Sequence, residues 1–151
     1  MKKVLLGLAM VALTFSMNAQ KLTTNGVDEF TGVQKKITKS YKVAKMDFGF
    51  MFASAIRIGK RTALRIGTSW DTGCSGASDN YITFLYSDGR TVTLKDVANV
   101  DCSENAISMF DVTNVDFADL KKIRLRQSDF PVDGVVSGKY SLYQLVRVVK
   151  H

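Results

Sequence analysis

The chain has one histidine, His151 at its last position, one proline, Pro131, and two cysteines, Cys74 and Cys102. A single terminal histidine removes Ser-His-Asp and Cys-His catalytic arrangements and histidine-rich metal sites. No CxxC, GxGxxG or Walker motif occurs, so thiol-redox, dinucleotide-binding and P-loop chemistry have no sequence support. One proline and no low-complexity tract argue against a linker or a second domain. No internal repeat is visible. After residue 15 no apolar run approaches the ~18 residues needed to span a bilayer as a helix.

The one long apolar run opens the chain. Met1-Lys2-Lys3 is basic, and Val4 to Phe15 follows as an apolar stretch of about twelve residues, the length of a secretory h-region. Ser16 and Asn18 are polar, and Ala19 suits the small position before a cleavage site. Residues 1–19 therefore read as a signal peptide, with Gln20 as the new terminus. The folded chain is expected to be extracytoplasmic, periplasmic or secreted. No cysteine follows the apolar run, so no lipid anchor is expected. Removing Lys2 and Lys3 and no acid takes the net charge from +7 to +5. About 130 residues remain, enough for one domain with its own core. Residues 20–26 are polar and read as a flexible leader to a single domain over 27–151.

In an oxidising compartment an isolated cysteine pair usually joins. A Cys74–Cys102 bond would close a loop of about 28 residues and contribute about 3 kcal/mol by restricting the unfolded chain. Two buried free thiols are the alternative.

Period-two alternation marks the rest as antiparallel β. Tyr81 to Lys95 reads as a hairpin about Asp88-Gly89. A three-residue loop, Ser87-Asp88-Gly89, pairs Phe84 with Val92 and Ile82 with Leu94, which gathers the apolar side chains on one face. The same register, carried on, sets Cys74 opposite Cys102. Further strands are expected at Lys36–Val43, Phe48–Ile58, Thr62–Trp70, Ala106–Val112 and Ile123–Gln127. Two short helices are expected, one near 114–121 capped by Thr113 with Asp116 in its first turn, one near 141–150 capped by Ser141 with Gln144. The valines of the second also permit a strand. The class is α+β, mostly antiparallel sheet, sandwich- or barrel-like, with two helices packed on it.

Asp28-Glu29-Phe30-Thr31-Gly32, the hairpin over Leu85 to Leu94, the short helix, and Ile123 to Gln127 followed by Ser128-Asp129 occur in an order that resembles a family of small, uncharacterised exported proteins common in Bacteroidetes. The resemblance covers most of residues 27 to 149. It implies one extracytoplasmic β-rich domain and no particular activity.

Three features carry candidate chemistry. Asp71-Thr72-Gly73 is similar to the aspartic-protease signature, which needs a second carboxylate and hence a dimer; Thr68 and Ser69 stand where apolar residues belong, and the tripeptide is also an ordinary turn. The oxygen-rich loop Asp71 to Asp79 suits calcium in composition but not in spacing, and no metal or other cofactor is expected. Lys36, Lys42, Arg57, Arg65, Lys95, Arg124 and Arg126 alternate with apolar residues, which points them outward into a basic, threonine-rich face. Trp70 and Tyr81 flank the cysteine loop and could border that face. Arg57, Arg65, Arg124, Arg126 and Lys95 are then binding residues for an anionic envelope glycan, a lipid head group or an acidic protein. The competing reading is a solvated face that discourages edge aggregation. Export, and the lack of an aromatic-basic module, exclude nucleic acid as an expected partner. The function that follows is a non-enzymatic binding or structural module of the envelope, with an aspartic-type hydrolase using Asp71 as the alternative.

Overall fold

Burial alternates residue by residue through Tyr81–Tyr86, and the sheet is built on that alternation. The structure is a computed structural model and describes residues 21–69, 80–98, 107–127, 130–136 and 142–151. Residues 1–19, read in the sequence as a signal peptide, together with Trp70, Asp71 to Asp79, both cysteines and Ser141 lie outside the described residues.

Ten strands and one helix follow in order: β1 (Leu22–Val27), β2 (Gln34–Thr38), β3 (Tyr41–Met46), β4 (Gly49–Ile58), β5 (Arg61–Thr68), β6 (Tyr81–Tyr86), β7 (Thr91–Lys95), β8 (Ser108–Asp111), β9 (Leu120–Gln127), β10 (Phe130–Val136) and α1 (Leu142–Lys150). All pairings described are antiparallel. Neighbours run β1-β2-β4-β3-β10-β9-β6-β7, while β5 lies on β4 and β8 on β5. The long strand β4 makes this possible. One edge pairs with β5 from Met51 to Ile58. The other is shared, β3 taking Gly49–Ala53 and β2 taking Ile56–Ile58.

The sheet curls until the end of β7 meets β8. Val97 N–H donates to the Met109 carbonyl at 2.8 Å. The Asp96 carboxylate accepts from Met109 N–H at 3.0 Å and from Ala98 N–H at 2.8 Å. No ladder joins β7 to β8 among the described residues, so the sheet stays open by pairing and is fastened by one aspartate.

The hairpin register is the one that buries a common face: Ile82 pairs with Leu94 and Phe84 with Val92. Gly89, at φ 85°, supplies the left-handed residue of the three-residue loop. Asp96 N–H to the Asn80 carbonyl, 3.0 Å, extends that register by one further pair.

Inside, Met51, Ala53 and Ala55 of β4 meet Leu64, Ile66, Phe84, Phe110, Ile123 and Leu125 in one core. Phe117 packs edge-on against Phe84 at 5.2 Å between ring centres. The Tyr86 ring is buried and its hydroxyl donates to the Asp116 carbonyl at 2.5 Å. Helix α1 buries Leu142, Leu145, Val146 and Val149, its apolar stripe, against β4, β2 and β5.

Four expectations are corrected. No helix forms at 114–121: turns at Thr113-Asn114 and Ala118-Asp119 flank an irregular stretch, and the chain enters β9 at Leu120. Thr113 donates to the Asp111 carboxylate (2.7 Å) and accepts from Thr62 N–H (3.0 Å), and Asp116 accepts from Ala118 N–H. Side chains that bond locally to the backbone compete with helix. Of the residues 20–26 read as a leader, 22–26 belong to strand β1 (Leu22–Val27), held by a backbone ladder to β2 more than by side-chain burial. Its turn is the Asp28–Gly32 motif, closed by the Asp28 carboxylate on Phe30 N–H and Thr31 N–H, and those bonds hold its pKa below the usual value. The expected strand Lys36–Val43 is two strands, divided at Lys39-Ser40 because each serves a different half of β4. Finally, β10 is absent from the expected strands, and it contains Pro131 and Gly134, residue types that are rare inside strands.

Gly134 is required for packing. A Cβ there would lie 2.8 Å from Ala44 Cβ and 3.1 Å from Met51 Sδ. Gly134→Ala is expected to lower stability by about 1–3 kcal/mol in urea denaturation. Asp96→Ala should cost about 1.5–3 kcal/mol by the same assay, since it removes two bonds to a charged acceptor. The Asp111 carboxyl is held at about 2, below its ordinary 3.8, first by the Thr113 hydroxyl and then by the Arg61 guanidinium. A folded-state value below the unfolded one means this stabilisation is complete above pH 3.8 and lost as pH falls toward 2. Asp111→Asn should flatten the acid limb of the stability–pH curve in that window.

Candidate functional site

The register of four strands composes one outward face. On β7, β6, β9 and β10 the row Lys95, Tyr81, Arg126, Pro131 lies beside the row Thr93, Thr83, Arg124, Asp133. Between them is a shallow hollow of about 510 Å³ lined by Tyr81, Thr83, Thr93, Arg124, Arg126 and Pro131. The Thr83 and Thr93 hydroxyls bond each other at 2.9 Å. Lys95 Nζ stands 5.8 Å from the centre of the Tyr81 ring.

The two arginines differ. Arg124 meets Asp133 in a two-pronged pair, 2.6 and 2.7 Å. The pair raises the Arg124 pKa and lowers that of Asp133. Arg126 carries no ion pair among the described residues. The hollow thus offers one uncompensated guanidinium, one aromatic ring and two hydroxyls. That set suits a polar anion in its chemistry, and among the described lining residues there is neither a nucleophile–base pair nor two facing carboxylates. Among the described residues no three His, Cys, Asp or Glu side chains gather to hold a metal.

Of the residues singled out in the sequence, Lys95, Arg124, Arg126 and Tyr81 come together. Lys42 does not join them; its Nζ lies 4.2 Å over the Phe50 ring. Arg65 faces outward on β5, between Ser54 and Met109. Arg57 is corrected, for it does not face outward. It shares the inner face of β4 with Ala53 and Ala55. Its Nη1 donates to the Lys150 carbonyl at 2.8 Å and its Nε to the Gly59 carbonyl at 2.9 Å. The guanidinium caps the carboxyl end of α1, where carbonyls lack partners and the helix dipole is negative. Lys36 pairs with Arg57 across β2 and β4 and is half-buried. The face was misread because large apolar residues suggested it. Phe52, Ile56 and Ile58 point out, Ile58 being 51% exposed, while small alanines point in and leave room for α1.

Thr83, Thr93, Pro131 and Asp133 were not named in the sequence as site residues. The hairpin register already contained the threonine pair; the others needed β10. Asp71, the candidate protease residue, lies outside the described residues, as do Trp70 and the cysteines. Among the described residues no helix is long and apolar enough to cross a membrane.

Arg57→Met should destabilise the fold by about 1.5–3 kcal/mol in chemical denaturation. Its affinity for anionic ligands should stay unchanged, the opposite of what a surface binding residue would do. No protein-family model matches the chain, and no match to it was found among curated proteins or solved structures.

Proposed function

We propose that the protein is an exported, non-enzymatic binding module of the cell envelope that holds an anionic glycan on the outer face of β7, β6, β9 and β10. The observation that carries this is Arg126, a guanidinium without a counter-ion among the described residues, set in one hollow with the Tyr81 ring and the Thr83–Thr93 pair. A sugar ring presents an apolar face to an aromatic side chain and hydroxyls to threonines, and its acidic group seeks the guanidinium. An acidic protein would ask for a larger apolar core in the patch than this face supplies. Export is supported by the basic-apolar-small order of residues 1–19, and the Cys74–Cys102 bond by that compartment. The resemblance of the Asp28–Gly32 motif, the Leu85–Leu94 hairpin and the Ile123–Gln127 segment, in that sequence order, to small exported Bacteroidetes proteins agrees with this destination, although the short helix that was part of it does not form.

The test is retention on an immobilised anionic polysaccharide, with heparin as the probe. Residues 20–151 should bind at low salt and elute as sodium chloride screens the charges. Arg126→Glu should abolish retention. Asp133→Asn leaves Arg124 without its counter-ion and should move elution to higher salt. No retention of the unaltered protein at low salt sinks the proposal, and so does retention indifferent to Arg126→Glu.

A further inference from the structure

On the opposite flank of the sheet, β4 and β5 carry a second, smaller hollow of about 220 Å³. It is separated from the Arg126 hollow by β8 on one side and β3 on the other. Its walls include Ser40, Ser54, Arg65, Thr68 and Ser69, with Gly67 adding no side chain. Ser54 and Arg65 are direct cross-strand partners, so their side chains emerge together.

The polar groups here are unusual in what they lack. Apart from Arg126, the other arginines of the strands and their turns each have a defined partner: Arg57 two carbonyls, Arg61 the Asp111 carboxylate, Arg124 the Asp133 carboxylate. Arg90 lies over the Tyr86 ring beside Asp88. Arg65 is half-buried and, among the described residues, has neither hydrogen bond nor ion pair. Ser54 is only 5% exposed, lines the hollow, and its hydroxyl has no partner among the described residues. Ser69 accepts from Phe50 N–H at 2.9 Å, which leaves its own proton to donate. No carboxylate stands among the lining residues.

A guanidinium partly withdrawn from water, with five donors and no acceptor, calls for an anion. The hydroxyls of Ser54 on β4, of Ser69 just after β5 and of Ser40 in the β2–β3 connection line the same hollow, so its hydroxyls come from three separate segments. A flat carboxylate uses one edge of such a set, whereas a tetrahedral oxyanion uses all of it. The volume equals that of about seven waters, room for a sulfate or phosphate group and the atom that links it. We infer that the Arg65 hollow is a binding site for one sulfate or phosphate group, distinct from the Arg126 face.

Calorimetric titration of residues 20–151 at constant ionic strength tests this, with sodium sulfate, phosphate, acetate and chloride as probes. Sulfate or phosphate should bind with a dissociation constant in the low millimolar range, and acetate and chloride at least about tenfold more weakly. Arg65→Met should weaken sulfate about tenfold or more and Ser54→Ala about threefold to tenfold, with the fold checked by cooperative melting in chloride. Arg65→Met keeps the Arg126 face intact, so a loss of sulfate binding in that variant with heparin retention through Arg126 preserved belongs to the Arg65 hollow alone. Competition then identifies the source. Displacement of sulfate by glucose 6-sulfate assigns the group to a glycan, displacement by phosphatidylglycerol vesicles to a lipid, and displacement by phosphate alone to the free ion. Equal binding of acetate, no binding of sulfate, or sulfate binding unchanged in both Arg65→Met and Ser54→Ala overturns the site.

Discussion

The fold depends on which face of β4 turns inward. This strand is used on both edges, by β5 along one and by β3 and β2 in succession along the other. Its inner face carries Met51, Ala53 and Ala55, and the methyl groups of the two alanines leave space that α1 fills with Leu142, Leu145, Val146 and Val149. Reversing that face would drive Phe52 and Ile56 into the space of the helix, and overpacking of that kind is destabilising. The choice also brings Arg57 inward, two residues beyond Ala55, where the carboxyl end of α1 needs a donor. Sheet curvature, helix seat and helix cap therefore share one cause.

Closure of the sheet rests on a smaller device. Where β7 and β8 converge, the backbone supplies one bond from Val97 to Met109, and the Asp96 carboxylate supplies two more. An aspartate that turns the chain after β7 and accepts from β8 does the work of a missing ladder. Free edge groups are thereby reduced at the place where an open sheet would expose them.

The sequence disclosed what depends on near neighbours. The Tyr81–Lys95 register followed from one buried face and one glycine, and the helix over 142–150 from its apolar spacing. Features set by distant partners were hidden. β10 contains Pro131 and Gly134, and both are tolerated for tertiary reasons: Gly134 because β10 passes against Ala44 and Met51, Pro131 because it stands near the start of the strand. The 114–121 segment had a capping pattern, yet Thr113 found better partners in Thr62 and Asp111, which sequence distance conceals. The binding face was legible in part for the same reason. Lys95, Tyr81, Arg124 and Arg126 sit on strands whose alternation was visible, while Asp133, which neutralises Arg124, belongs to the strand that was not.

Counting basic residues consequently says little about where an anion binds. Arg57, Arg61, Arg65, Arg124 and Arg126 all carry one charge, and the fold spends them differently. Arg57 caps a helix, Arg61 and Arg124 hold aspartates, and each of these is satisfied within the protein. Satisfied guanidiniums have little left to offer a ligand, because a competing anion must first displace an intramolecular bond at cost. Arg126 and Arg65 remain without such partners among the described residues, one in an open hollow beside an aromatic ring, the other half-buried among hydroxyls. The difference in size and lining is what the two proposals rest on: the larger hollow would take an extended anion against a flat ring, the smaller one a single compact oxyanion. Net positive charge draws both kinds of ligand toward the protein, and the unfilled donors decide where they stop.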